Sequence, residues 1–130
     1  EGATVLEPVA GAYFDPIVVF DYASLYPSIM QAHNLCYSTL LISDDDEAKT
    51  DGEFECIQVQ DAAHPEEPFT FRFCQTKQGI LPGLLSELAA KRKAVRAEMA
   101  QTSDKNKLLI LDKRQLAIKV SMNTVYGFTG

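Results

Sequence analysis

The strongest constraint on the fold is a stretch from 84 to 126 that contains neither Gly nor Pro and is interrupted once, at Thr102-Ser103-Asp104. Leu84, Leu85, Leu88, Ala89 and Val95 favour a helix that starts near Gly79-Ile80-Leu81-Pro82 and runs to about 101. The interruption supplies a break and an N-cap, and a second helix is expected from 105 to about 126. Helices joined by so short a link must lie antiparallel. Each is about 30 Å long at 1.5 Å per residue. With the helices antiparallel about the break near Ser103, residues whose numbers sum to roughly 208 to 212 are expected to face each other, which sets Arg92 level with Lys119.

The first part of the chain reads differently. Pro16-Ile17-Val18-Val19-Phe20 is a β-branched and aromatic run, apolar on both faces, and predicts a fully buried strand ending at Asp21. Ser24 can cap a helix over 25 to 33, where Leu25, Ile29 and Ala32 recur at helical spacing and Pro27 falls in a tolerant first turn. Residues 36 to 42, 53 to 59 and 69 to 74 are rich in strand formers, and 43 to 52 and 62 to 68 read as surface loops. The alternation of Phe69, Phe71 and Phe73 with Thr70 and Arg72 points to sheet core rather than to a platform for stacking bases. The expected class is α+β: a sheet with a short helix over 1–78, a long antiparallel helical hairpin over 79–126, and a return over 127–130.

Charge is divided along the same line. Residues 1–90 carry 15 acids and 3 bases, net −12, whereas 91–130 carry 3 acids and 9 bases, net +6, giving the chain total of −6. Such asymmetry suits an anionic partner for the helical part alone. No apolar run approaches the roughly 20 residues that span a bilayer. Cys36, Cys56 and Cys74 are odd in number and about 20 residues apart, a pattern that writes neither a closed disulfide set nor a metal knuckle and favours a reducing compartment. The opening Glu1-Gly2-Ala3, with no initiator Met or basic leader, reads as an excised segment.

Three groups of residues could carry chemistry. Asp21, at a strand end beside a helix start, offers a carboxylate next to unpaired backbone N–H groups, an arrangement suited to Mg²⁺ with the phosphates it neutralises. The same pattern also arises where Asp merely caps a turn. On the last helix Lys119, Asn123 and Tyr126 share a face at i, i+4 and i+7, presenting a cation, an amide and a ring to a nucleotide, though such a stripe also serves as a solvated surface. Gly127 leaves the approach open. Lys91-Arg92-Lys93 with Arg96 adds cations, Arg92 and Arg96 on one face, either as a phosphate grip or as a hydrated basic surface. Asp44-Asp45-Asp46-Glu47 lacks the Gly and distal Glu of a calcium loop and reads as a hydrated turn, while His33 and His64 have no partner at ligand or triad spacing. Ala23, two residues after Asp21, removes the paired acids of phosphatase-like sites that use Asp as a nucleophile.

Taken together and in this order, the strings resemble the family B DNA polymerases. Asp21-Tyr22-Ala23-Ser24-Leu25-Tyr26-Pro27-Ser28 looks like that family's first palm motif, and Lys119-x3-Asn123-x2-Tyr126-Gly127 like its fingers motif. Gln31-Ala32-His33-Asn34-Leu35-Cys36-Tyr37-Ser38-Thr39 and the text from Arg114 through Gly130 are similar to herpesvirus replicative polymerases in particular.

The resemblance implies a partial palm over 1–78 and fingers over 79–126. It implies that Asp21 ligates two catalytic Mg²⁺ ions, with the carbonyl of Tyr22 as a further ligand. Amides of Ser24, Leu25 and Tyr26 would receive the β- and γ-phosphates, and the Tyr26 ring would exclude a ribose 2′-OH. Arg92 and Lys119 would hold the triphosphate, Lys119 also protonating the leaving pyrophosphate. Asn123 would support that network, and Tyr126 would lie near the nascent base pair. Implied partners are primer-template DNA, deoxynucleoside triphosphates and a viral processivity factor bound through regions outside this chain. No membrane is implied, and the setting is the host nucleus. A second carboxylate, supplied in the family by a Tyr-Gly-Asp-Thr-Asp-like string, does not occur in 1–130, so these residues alone are expected to be inactive. The rival is a non-catalytic hairpin that binds nucleic acid or a protein partner.

Overall fold

The computed structural model describes residues 5–43, 50, 52–60 and 66–127. Within them the order is α1 (Leu25–Ala32), β1 (Leu40–Leu41), β2 (Phe54–Val59), β3 (Phe69–Cys74), α2 (Ile80–Gln101) and α3 (Lys105–Gly127). The strands form one antiparallel sheet in the order β1-β3-β2. Leu40 stands opposite Phe73, and Phe54 opposite Cys74. The α+β class expected from the sequence is therefore the one observed. The acidic run Asp44 to Glu47, His64 and the return over 128–130 lie outside the described residues.

The Pro16 to Phe20 run is a correction. It forms no strand, and Ile17, Val18, Val19 and Phe20 are 73, 72, 85 and 92% exposed. A run apolar on both faces is held by strands at its edges and layers on its faces. Among the described residues the sheet is built from other segments and supplies neither. The strand expected over 36 to 42 shrinks to Leu40–Leu41 because Cys36 to Thr39 turn, with the N–H groups of Thr39 and Leu40 both donating to the Cys36 carbonyl at 3.1 Å. Phe69 and Phe71 are exposed and only Phe73 is half-buried, so that alternation does not build a core.

A small polar knot ties helix to sheet. After α1 the backbone enters the left-handed region at Asn34 (φ 51°), and the Leu35 N–H returns to the Met30 carbonyl at 2.9 Å, closing the helix with a Schellman motif. The buried Asn34 amide donates to the carbonyls of Cys74 and Lys77, both at 2.8 Å, and accepts from the Gly79 N–H at 2.7 Å. One side chain thus joins the end of α1, the end of β3 and the start of α2. His33, expected to stand alone, meets Glu55 of β2 at 2.7 Å. Beside the knot the Cys36 thiol is buried. Burial alone raises its pKa, but hydrogen bonds from Ser38 and from backbone N–H groups of Leu81, Ser38 and Ile80 outweigh it and hold the thiol below its ordinary value. The three cysteines are free thiols.

Gly79 has no room for a side chain: a Cβ there would stand 2.8 Å from Cys36 Cβ and 3.2 Å from Asn34 Oδ1. Gly79→Ala is expected to destabilise the full-length protein by about 1–3 kcal/mol, an overpacking cost. Thermal unfolding reads it, and an unchanged midpoint would show that the knot yields freely.

The hairpin is built as the sequence requires. Asp104 Oδ1 accepts from the N–H groups of Asn106 at 2.9 Å and Lys107 at 3.4 Å, capping α3. Leu85, Leu88, Arg92, Val95 and Met99 face inward on α2, and Leu108, Leu111, Gln115, Ile118, Met122 and Val125 on α3. These positions alternate three and four apart, the seam spacing of paired helices. Full burial of Leu85 contributes about 2 kcal/mol. Two seam positions are polar, and they pair: Arg92 Nε donates to Gln115 Oε1 at 3.3 Å. Arg92 is therefore level with Gln115, one turn before Lys119. The link is centred on Ser103, and the expectation had mirrored the helices about a point too far along α3. At the tip Lys107 donates to Glu98 at 2.9 Å, holding that exposed carboxyl below its usual range. No described helix is long and apolar enough to cross a membrane.

Candidate functional site

Ser24 shows how the turn before α1 prepares a site. It occupies the N-cap position, but in the left-handed region (φ 57°, ψ 56°) and without a side-chain capping bond. The expected cap is thus absent, because an N-cap hydroxyl reaches the first-turn amides from the β region of φ/ψ space. The helix still starts, through Ser28 N–H to the Ser24 carbonyl at 2.9 Å and Ser28 Oγ to the Ala23 carbonyl at 3.1 Å. A first turn left uncapped by its own side chain presents N–H groups and a partial positive charge to whatever lies beyond it.

Beyond it lies a cavity of about 430 Å³ between this turn and the hairpin. Asp21, Tyr22 and Ser24 line one side, and Arg92, Lys119, Asn123 and Tyr126 the other. Seven residues selected from the sequence, drawn from three separate segments, are thereby brought to one space. Leu25 is not: it lines a different cavity with Ile29 and Ala32 and is absent from the lining of this one. Tyr26 is absent from the cavity lining, and its ring stacks on Tyr126 with centroids 5.7 Å apart and planes 24° apart. A Cβ on Gly127 would meet nothing within 4 Å, so the approach there is open.

Two contributors were not picked out as site residues from the sequence. Arg96, read there only as a neighbour of Arg92 on one helix face, lines this cavity and an adjoining one of about 480 Å³ that also includes Ser24, Arg92, Lys93 and Met122. The i, i+4 spacing was the signal that could have found it. Gln115 was unmarked, yet it accepts from Arg92 Nε and donates through Nε2 to Asp112 Oδ1 at 3.1 Å, which fixes which end of the amide faces Arg92. Only the seam register reveals it.

The cavity lining carries three cations, Arg92, Arg96 and Lys119, against one carboxylate, Asp21. That balance attracts a polyanion, and the fork of Arg92, with Nε engaged, keeps its terminal nitrogens for a second partner. Asp21 and the neighbouring backbone offer oxygen donors, the kind a hard divalent cation takes. Among the described residues no group of three His, Cys, Asp or Glu side chains could hold a metal by itself. The donor set therefore fits a cation shared with phosphate oxygens and with further ligands, not a self-contained protein cage.

Comparison with known proteins gives the context. The sequence model of DNA polymerase family B matches residues 1–130. The chain is 46% identical over 133 residues to the DNA polymerase catalytic subunit of Human herpesvirus 6B (strain Z29), covering 100% of this chain and 12% of that protein. It is also 46% identical over 132 residues to the DNA polymerase delta catalytic subunit of Dictyostelium discoideum, covering 11% of it. A third relative, the DNA polymerase of guinea pig cytomegalovirus (strain 22122), is 46% identical over 130 residues, again with 11% covered. The chain thus spans about an eighth or less of these relatives' length. With its whole length matched by the family model, and its Asp21 turn and Lys119 helix meeting at one cavity, the chain belongs to DNA polymerase family B.

Proposed function

We propose that this chain forms the nucleotide-receiving part of a DNA-directed DNA polymerase, with palm residues over 1–78, fingers over 79–126 and a return to the palm over 127–130. The observation that carries the reading is the convergence of Asp21, Arg92, Lys119 and Asn123 on one cavity from three segments about 30 to 100 residues apart in sequence. The reaction is attack of a primer 3′-hydroxyl oxygen on the α-phosphorus of a deoxynucleoside triphosphate. A new phosphodiester bond forms, the α–β bridge breaks, and pyrophosphate leaves.

Asp21 and the Tyr22 carbonyl would hold Mg²⁺. Two such ions supply charge for the attacking and leaving oxygens. At least one further carboxylate is needed, which the family resemblance puts after residue 130. Arg92, Arg96 and Lys119 bind the β- and γ-phosphate oxygens, and Lys119 gives a proton to the departing pyrophosphate. Amides of Ser24, Leu25 and Tyr26 receive phosphate oxygens at the uncapped helix start. Tyr26 supports the deoxyribose and leaves no space for a 2′-hydroxyl. Asn123 supports the triphosphate contacts, and Tyr126 lies near the nascent base pair.

Substituting the cations tests the reading. Arg92→Ala and Lys119→Ala in the full-length polymerase are each expected to weaken nucleotide affinity, slow the single-turnover rate, or both, by about tenfold or more, the worth of a charge-assisted phosphate contact. Parental single-turnover kinetics in both variants would refute the grip.

We further read the parent as a herpesvirus replicative polymerase that acts in the host nucleus with a processivity factor bound outside this chain. The Gln31 to Thr39 and Arg114 to Gly130 strings support this. DNA flanking the coding region is expected to hold other herpesvirus genes, and spliced cellular genes on both sides would reverse the assignment.

A further inference from the structure

Tyr26 is the second residue of α1 and is 64% exposed. An exposed tyrosine exchanges between staggered rotamers on a fast timescale. A ring that selects by occupying space works only while it occupies it, since every excursion to another rotamer admits the group it should exclude. Something has to hold it.

The geometry points to Tyr126: we propose that Tyr126 is a positioning residue for sugar selection, holding the Tyr26 ring by stacking in the orientation that excludes a ribose 2′-hydroxyl. This rests on the reading of Tyr26 given above, and it adds to Tyr126 a task distinct from bordering the base. The rings lie 5.7 Å apart at 24°, within the range of favourable aromatic pairs. Tyr126 is itself held. Its hydroxyl donates to Asn123 Oδ1 at 2.8 Å, three residues earlier on α3, and both side chains line the cavity. Tyr126 is half-buried at the C-terminal end of a 23-residue helix, whereas Tyr26 stands on an eight-residue one. The better anchored ring therefore constrains the freer one. The contact also joins two segments 100 residues apart, so the orientation of the sugar filter depends on where α3 sits.

The test uses the full-length polymerase and reads the ratio of kcat/KM for a deoxynucleoside triphosphate to that for its ribonucleoside counterpart. Tyr126→Phe keeps the stacking ring but loses its tie to Asn123, and is expected to lower the ratio less than removal of the ring does. Tyr126→Leu removes the stack and is expected to lower the ratio by about threefold to tenfold, the range set by one aromatic pair. In a Tyr26→Val background Tyr126→Leu is expected to change the ratio no further, because the ring it would release is gone. If Tyr126→Leu slows both substrates equally and leaves the ratio unchanged, the inference is overturned while the Tyr26 filter stands. If Tyr26→Val itself leaves the ratio unchanged, the filter falls and the inference with it. An equal further loss in the Tyr26→Val background would also overturn it, since Tyr126 would then act on the sugar without Tyr26.

Discussion

Nucleotide incorporation by the full-length polymerase is expected to fall about a thousandfold or more on Asp21→Asn, while primer-template affinity stays within about threefold of the parent. The two side chains are nearly the same size, so the turn that Asp21 occupies before α1 keeps its shape. What is lost is a full negative charge facing Arg92, Arg96 and Lys119 across the cavity. An amide oxygen is a poor ligand for a hard divalent cation beside phosphates. Duplex binding is expected to draw on surfaces outside this chain, which spans 12% of its herpesvirus 6B relative, and so to persist. The measurement is a primer-extension burst alongside a DNA-binding titration. Incorporation within about tenfold of the parent would sink both the metal role and the polymerase reading. A hairpin that served only as a nucleic-acid or protein-binding module would show that insensitivity.

The second large effect is on sugar choice. Tyr26→Val is expected to raise ribonucleotide use relative to deoxyribonucleotide use by about tenfold to a hundredfold, the scale on which a pocket rejects or admits a small group. The direction follows from sterics alone: the site excludes the extra hydroxyl by occupying its space, and does not attract the sugar that lacks it. Val keeps an apolar surface and removes the ring that stacks on Tyr126. Single-nucleotide extension with paired substrates reads the effect, and unchanged selectivity would remove Tyr26 from any sugar-sensing role.

Much of this was legible because it is local. The Gly- and Pro-free run and its one break give the hairpin, and Asp104 gives its cap. Helical periodicity put Lys119, Asn123 and Tyr126 on one face, and they line one cavity. What escaped the sequence depends on distance or on absent neighbours. Pattern alone could not tell that Ile17 to Phe20 would find no paired edge among the described residues, since a buried strand and an unpaired apolar run look alike in one dimension. The Arg92–Gln115 pair depends on a helix register that a one-turn error hides. The left-handed Ser24 is a backbone choice of a residue that is ordinarily a capper. Asn34 joins three elements through bonds to residues 40 to 45 positions away, beyond any local window.

The guanidinium–amide pair set among leucines and methionines restricts how the arm can travel. Sliding α2 past α3 by seven residues would displace Lys119 by about 10 Å and push the Arg92 charge against hydrocarbon, at a cost no ordinary loop could offset. Any swing toward the Asp21 turn must then be made by the whole rod, pivoting at its root. In any such swing the spacing of Arg92, Arg96 and Lys119 would be conserved, like teeth on a single jaw.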